Sequence, residues 1–408
     1  MAGTKKFIFV VCGAKEHIET LHFSLRALRH FSEHEIWIVT DSTRNEIPLV
    51  HTNIINVKCP DGFTHHQASI YLKTGLHKFL PPGNLYCYLD SDVIALNEKI
   101  NEVFEQKTGL ITFAPDHSKM NRFSPYAINC DCLNENLAEW AEIDFLLEKY
   151  GRPTTINDPT QLKRQNRLKR NLELTKRSKL KLVGFAAKYV TTGNILRFAD
   201  GLYYNKNEHA WYDNEGQPVM IDTNNETIKK IEKNSKWRWN IVRRRWISPT
   251  GNDIHQLQCS HLTQAIDSKF GIKITNPNWQ HWNGGVFLFD NGSHAFMESW
   301  HKKTILIFSD PRWKTRDQGT LIATAWQFGL MHLPLLSKAY NFIADPSNQG
   351  LMISDDREYI TDDAFKTKYS PAFIHIFNNF GQSGWDIWDW VEEKLTTTGR
   401  LNAPVNSR

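Results

Sequence analysis

Two carboxylates one residue apart, Asp90 and Asp92, stand in the middle of the stretch Leu85 to Leu96, with an apolar run on either side. A run of this kind reads as a buried central strand. Asp suits a strand interior poorly, which places both carboxylates at the strand's C-terminal end, where open α/β sheets bind their ligands. Carboxylates at i and i+2 can share one hard cation with Ser91 between them turned aside. Mn²⁺ and Mg²⁺ prefer such oxygen ligands and keep positions open for diphosphate oxygens. An isolated D-x-D is more often a solvated turn or a helix cap. The apolar approach from both sides leaves the two readings balanced, and the rest of the chain decides between them.

The elements that would position these carboxylates can be followed from the N-terminus. Lys6 to Cys12 reads as a strand ending in Gly13-Ala14, and residues 16–31 carry apolar positions at a helical period. Strands follow over 35–41 and 53–57, then a helix over 65–80 stopped by Pro81-Pro82-Gly83-Asn84. This alternation predicts a Rossmann-like, mostly parallel sheet flanked by helices. Gly13-Ala14 is not a G-x-G-x-x-G fingerprint, which disfavours a dinucleotide fold, but small residues at a strand end can admit a flat base. A strand over 109–115 and a helix over 134–150 complete this first half.

After Gly151 the composition shifts. Residues 151–274 interrupt the alternation and read as a large β-rich, basic insertion, with turn signals at 210–216 and 248–253. Lys163, Arg164, Arg167, Lys169 and Arg170 lie among interspersed leucines, and Arg243-Arg244-Arg245 lies in a Trp-rich run. Basic runs are usually solvated faces. Combined with leucines they also suit an anionic membrane surface or a phosphate-bearing acceptor.

Further chemistry-bearing groups lie in the last third of the chain. Asn283-Gly284-Gly285 would let a backbone approach a ligand closely, with a strand over 286–289 behind it. Asp317-Gln318 at the start of a helix is either a cap or a carboxylate and an amide aimed at the same cleft. His375 comes after apolar residues late in the chain, with Gly381 and Trp385 in a tight loop beyond it. A lone His in that position is usually structural, unless a metal calls for it, and Asp90 and Asp92 do.

The 408-residue chain, 40% hydrophobic and 23% charged, is composed like an ordinary globular protein, with 14 Trp and a net charge of +5. No apolar run reaches the roughly 18 residues of a spanning helix, and the N-terminus reads as a first strand rather than a signal peptide. The six cysteines show neither a disulfide framework nor a zinc spacing, so a reduced, cytoplasmic setting is expected.

Taken in order, these motifs resemble the retaining, nucleotide-sugar-dependent glycosyltransferases of GT-A fold, specifically glycosyltransferase family 8. That family includes glycogenin and bacterial lipopolysaccharide galactosyl- and glucosyltransferases. The resemblance rests on Tyr71-Leu72-Lys73, Asp90-Ser91-Asp92, Asn283-Gly284-Gly285, Asp317-Gln318 and His375…Gly381…Trp385, and covers residues 5–115 and 276–386. It implies a GT-A domain in two halves, 1–150 and 275–408, with 151–274 as an acceptor-binding insertion. It implies that Asp90, Asp92 and His375 hold Mn²⁺, or Mg²⁺, on the diphosphate of a UDP-sugar. Gly13, Ala14, Lys73, Ser91 and Gly381 would contact the nucleotide and its phosphates. Asn283, Gly284, Gly285, Asp317 and Gln318 would surround the donor sugar, with Gln318 on the face where retaining chemistry occurs. The acceptor would be a carbohydrate, glycolipid or protein, with peripheral contact to the inner membrane face through the insertion. Two departures stand out: Lys73 replaces an Arg and loses its bidentate fork, and the loop before Trp385 lacks the family's Lys-Pro pair.

Three other readings compete. A sugar-phosphate nucleotidyltransferase would need a Gly-rich basic loop after the first strand, and Gly13-Ala14-Lys15 is too poor in Gly. A non-catalytic carbohydrate-binding protein has no use for an intact Asp90, Asp92 and His375. Nucleic-acid binding through Trp237 to Trp246 would be strongly salt-sensitive and ranks lower.

Overall fold

A computed structural model describes residues 3–397 apart from 151–163, 166, 169–170, 173–178, 199–200, 209, 222–224, 241–244, 254–256, 345–350, 355 and 363–366. Contacts divide the chain into two units. The first comprises Met1–Cys130, Cys259–Asp362 and Lys368–Arg408, and the second Asp131–Gln258 and Asp363–Thr367.

The first unit is built on a six-stranded sheet. β1 (Lys5–Val10), β2 (Glu35–Thr40), β3 (Ile54–Asn56) and β4 (Leu85–Leu89) run parallel in the order β3-β2-β1-β4. The short β5 (Val93–Ala95) leaves this sheet after Asp90-Ser91-Asp92. β6 (Thr112–Pro115) and β7 (Trp282–Phe289) extend the main sheet, with β7 antiparallel to both β4 and β6. Side chains alternate across it. Phe7, Phe9, Cys87 and Leu89 enter one apolar cluster, while Ile8, Val10, Tyr86 and Tyr88 enter another. Burial on both faces explains why these strands are unbroken apolar runs rather than alternating ones.

Helices cover each face. α1 (Lys15–Phe31) buries Ile18, Leu21, Leu25 and Leu28 in the first cluster, and α2 (His65–Thr74) buries Ala68 and Leu72 in the second. The continuous helix expected over 65–80 is interrupted. α2 starts with a capping box between Thr64 and Gln67 and ends at Gly75, where a Cβ would lie 2.8 Å from the Phe79 ring and the Tyr71 carbonyl. α3 (Met120–Ala127), α4 (His261–Phe270), α5 (His294–Leu306) and α6 (Arg316–Gln327) pack on the second cluster, and α7 (Asp386–Thr397) on the first.

Two local features position the site. β7 begins at Trp282, earlier than the strand expected at 286, so Asn283-Gly284-Gly285 lies inside a strand. There the register against β6 shifts between Asn283 and Phe287, a bulge of the kind strand glycines often mark. A small sheet of β5, β8 (Phe342–Ile343) and β9 (Phe373–His375) pairs His375 with Val93.

The second unit contains the helices Cys132–Tyr150, Lys179–Thr191 and Asn225–Asn234 and a four-stranded antiparallel meander within 195–221. A separate hairpin pairs 238–240 with 245–247. This unit starts before residue 151 because Ile143 and Leu146 of its first helix pack on Ile231, Trp237 and Trp246. It ends before 274 because Leu262 and Ile266 belong to the first unit's core. Both expected turns form, around Gly216 (φ 77°) and Gly251 (φ 88°). Of the basic run, Lys163, Lys169 and Arg170 lie outside the described residues, as do Arg243 and Arg244, while Arg164 pairs with Asp213. Among the described residues no helix is long and apolar enough to cross a membrane.

Candidate functional site

At the C-terminal end of β4 the chain turns through Asp90-Ser91-Asp92 before β5. The turn is held by the Asp90 N–H donating to the Gly285 carbonyl (2.8 Å) and the Val93 N–H donating to the Asp90 carbonyl (3.1 Å). Ligand atoms of Asp90, Asp92 and His375 all lie within 4.8 Å of one another. His375 Nε2 is 3.3 Å from Asp92 Oδ1, a buried oxygen with no hydrogen-bond partner. Buried polar atoms are rarely left so. An orphaned carboxylate oxygen beside an imidazole nitrogen and a second carboxylate fits a divalent cation.

The imidazole is oriented for that role. His375 Nδ1 donates to Asn341 Oδ1 (3.0 Å), which turns Nε2 toward the carboxylates. The Asn341 amide in turn donates to Asn283 Oδ1 (2.9 Å), which also accepts the Gly285 N–H (2.8 Å). The Asn283 amide donates to Asp116 Oδ2 (3.1 Å), and Asp116 is paired with buried His281 at 3.5 Å. Gly285 is required by this packing, since a Cβ there would lie 2.4 Å from the His375 ring. The approach that these glycines permit is thus in part that of the protein's own histidine.

On the other side of Asp90 lies Lys73, in the last turn of α2. Its ammonium is 3.1 Å from Asp90 Oδ1 and 3.1 Å from Asp317 Oδ2, and Tyr88 donates its hydroxyl to Asp90 as well. Burial pushes the Asp90 carboxyl above its ordinary range, opposed by Lys73 and reinforced by Asp92. The same burial acts on Asp92 and Asp317. Both nevertheless fall below the usual range, Asp92 through His375 and Asp317 through Lys73. Burial would lower His375 and Lys73, but the facing carboxylates outweigh it and raise both. The site is therefore a compact array of charges held by mutual compensation.

The chain is similar to solved glycosyltransferase structures. One is the galactosyltransferase LgtC in complex with donor and acceptor sugar analogs (9% identity, 98% of each chain covered, TM-score 0.39). A second is the bifunctional glycosyltransferase WbbM (9% identity, 99% of this chain, 50% of that one, TM-score 0.41). A third is mouse xyloside xylosyltransferase 1 (8% identity, 91% of this chain, 97% of that one, TM-score 0.37). This chain thus spans about half the length of WbbM. No protein-family model and no curated protein matches the sequence.

The remaining expected residues occupy varied positions. Gln318 accepts the Gly284 N–H at Oε1 (3.1 Å) and donates its amide to the Trp282 carbonyl, so both ends of its side chain are engaged by the β7 backbone. Gly13 (φ 103°) and Ala14 lie at the end of β1, which neighbours β4 in the sheet. The Gly13 N–H goes to Asn45 Oδ1 (3.1 Å), and a Cβ on Gly13 would meet the His65 ring at 2.4 Å. Ser91 is half-buried in the carboxylate turn. Gly381 (φ 79°) turns the loop beyond His375 in open space, and Trp385 packs against the core.

Sequence reasoning missed Tyr88, Asn341, Asp116 and His281. Tyr88 carried a signal, since it precedes Asp90 by two residues and a strand's period is two. Asn341 and Asp116 are remote in the chain from the residues they support and carry no local mark.

Proposed function

We propose that this chain is a metal-dependent, retaining glycosyltransferase that moves a hexose from a nucleotide diphosphate sugar, a UDP-sugar, to an acceptor hydroxyl. The observation that carries the proposal is the three-ligand group Asp90, Asp92 and His375, with the orphaned Asp92 oxygen, adjoining the Lys73–Asp317 pair at a sheet's C-terminal edge. Mn²⁺ or Mg²⁺ held there would supply charge neutralisation to the departing diphosphate.

The chain's own residues do the rest. Lys73, already cationic between two carboxylates, offers a fixed positive charge to phosphate or donor-sugar oxygens. Asp317 holds Lys73 in place and faces the same space. The Gly284-Gly285 bulge lets the β7 backbone stand beside the sugar. Gln318 braces that bulge with one bond at each end of its amide, which leaves a further acceptor lone pair at Oε1 for a sugar hydroxyl. The competing nucleotidyltransferase reading is disfavoured because the Gly13 N–H, which a phosphate loop would offer to the ligand, is donated to Asn45.

We assign acceptor recognition to the second unit, whose basic and aromatic composition suits a phosphorylated or lipid-linked glycan. The test is a screen of nucleotide sugars for Mn²⁺-dependent hydrolysis, with NMR of the linkage formed. Hydrolysis of one donor that disappears in excess chelator, and an α-linked product from an α-linked donor, are expected. Turnover undiminished by chelator sinks the metal role, and a β-linked product sinks retention. Replacing Lys163, Arg164, Arg167, Lys169 and Arg170 by Gln should spare hydrolysis while weakening transfer. Equal loss of both would make the segment a folding element instead.

A further inference from the structure

A second ligand cluster lies in the first unit, away from the carboxylates in the sequence and built from different donors. Cys130 closes the segment after α3, and Cys259 and His261 open α4, with Ser260 between them at the helix N-cap. Cys130 Sγ is 3.7 Å from Cys259 Sγ, and Cys259 Sγ is 3.4 Å from His261 Nδ1. The three ligand atoms all lie within 4.8 Å of one another, and the cysteines are thiols rather than a disulfide.

These separations discriminate between chemistries. A disulfide would bring the sulfurs to about 2.0 Å. Two thiolates at about 2.3 Å from a tetrahedral zinc ion stand about 3.7 Å apart, and a thiolate and an imidazole nitrogen on the same ion stand about 3.5 Å apart. The observed spacings match the zinc polyhedron.

The surroundings are prepared for a thiolate. The Ser124 hydroxyl donates to Cys259 Sγ (3.0 Å) while its oxygen accepts the Leu262 N–H (3.0 Å), and the Cys259 N–H is fixed on the Asn121 carbonyl (3.1 Å). Cys259 is itself buried beside the start of α4, where the helix dipole favours negative charge. On the other strand of chain, Asn129 donates its N–H to the Arg312 carbonyl (2.7 Å) and Ile128 bridges Trp313, which holds Cys130 in register.

We propose that Cys130, Cys259 and His261 form a structural Zn²⁺ site that ties the α3 segment to α4. It is a sulfur-rich site with no role in donor chemistry, and it stands whether or not the proposed transferase activity does.

The full chain, purified without added metal or chelator under reducing conditions, should carry about one zinc per molecule by elemental analysis. Cys130→Ser combined with His261→Ala should abolish it, whereas Asp92→Asn should retain it. Cobalt loaded in place of zinc should show thiolate-to-metal charge-transfer absorption. Should the double variant not fold, alkylation of the wild-type chain decides instead: half-buried Cys130 should be protected until a strong chelator is added. Wild-type protein without bound zinc, zinc retained by the double variant, zinc lost with Asp92→Asn, or a Cys130–Cys259 disulfide found by mass spectrometry would each overturn the proposal. So would alkylation of Cys130 that is indifferent to chelator.

Discussion

The first unit holds two clusters of ligating side chains that differ in almost every physical respect. Asp90, Asp92 and His375 offer two oxygens and one nitrogen, gathered from a sheet edge and a small neighbouring sheet, with Lys73 and Asp317 charged alongside. Cys130, Cys259 and His261 offer soft sulfur and one nitrogen at a helix start. Hard donors leave room for phosphate oxygens and exchange their cation readily, whereas thiolates close around zinc and keep it. The composition of each cluster thus separates a site suited to turnover from one suited to holding the fold.

The sharpest way to break this comparison is at Asp92. Asp92→Asn removes one carboxylate charge from the ligand set, and donor turnover should fall on the order of 10²–10³-fold or more, measured as nucleotide release at saturating Mn²⁺. Activity within a few-fold of wild type would mean that the carboxylate cluster holds no working cation.

Lys73→Met separates charge at the site from metal at the site. It leaves Asp90 and Asp317 facing each other without their shared cation, so stability should drop by about 2–4 kcal/mol in urea melts, less than for a fully buried pair because both carboxylates are partly exposed. Mn²⁺ binding by calorimetry should survive, since Asp90 is released from its competitor. Loss of both stability and Mn²⁺ affinity would show Lys73 to be part of the metal set's scaffold.

Asn341→Ala tests whether the histidine's orientation matters. Without the Nδ1 partner, Mn²⁺ affinity should weaken about 10–100-fold while the fold persists. The thiolate cluster, with its own supports in Ser124 and Asn121, should keep its zinc. Gly285→Ala drives a methyl group toward the His375 ring and should cost about 1–2 kcal/mol together with a smaller loss of Mn²⁺ affinity.

A last test uses a control histidine away from both clusters. His301, buried and bonded to Thr74 (2.8 Å), is lowered to about 4 by burial first and by Lys78 and His77 next, with Glu298 opposing. Its unfolded form binds a proton near pH 6.5, so the stability it contributes is present above 6.5 and lost as pH falls from there toward about 4. The urea midpoint should therefore decline more steeply over that range in wild type than in His301→Gln. Equal slopes would assign the acid sensitivity to other groups.

Much of the fold was legible because its causes are local. Helical apolar periods over α1 and unbroken apolar runs in β1, β2 and β4 arise from burial on one helix face or on both faces of a sheet, and each forces a pattern into consecutive residues. Gly75 was harder to weigh, since a glycine in a helical pattern can be tolerated or can end it. Asp90 and Asp92 stood out because apolar runs approach them from both sides. By contrast, Cys130 and Cys259-x-His261 are unremarkable until packing of α3 against α4 brings Cys130, Cys259 and His261 together.

The sequence by itself determined the doubly wound character of the sheet, its turn at Asp90-Ser91-Asp92 and the kinds of ligand available, because these depend on residue type and short-range spacing. Tertiary structure alone decided which ligands meet. His375 reaches Asp92 only because β9 pairs with β5, Asn341 orients it only across a third strand, and Gln318 is engaged by β7 rather than free. Those contacts join positions far apart in the chain. They are fixed by strand pairing and by the exclusion of water from a packed core, and neither leaves a mark on the residues beside each participant.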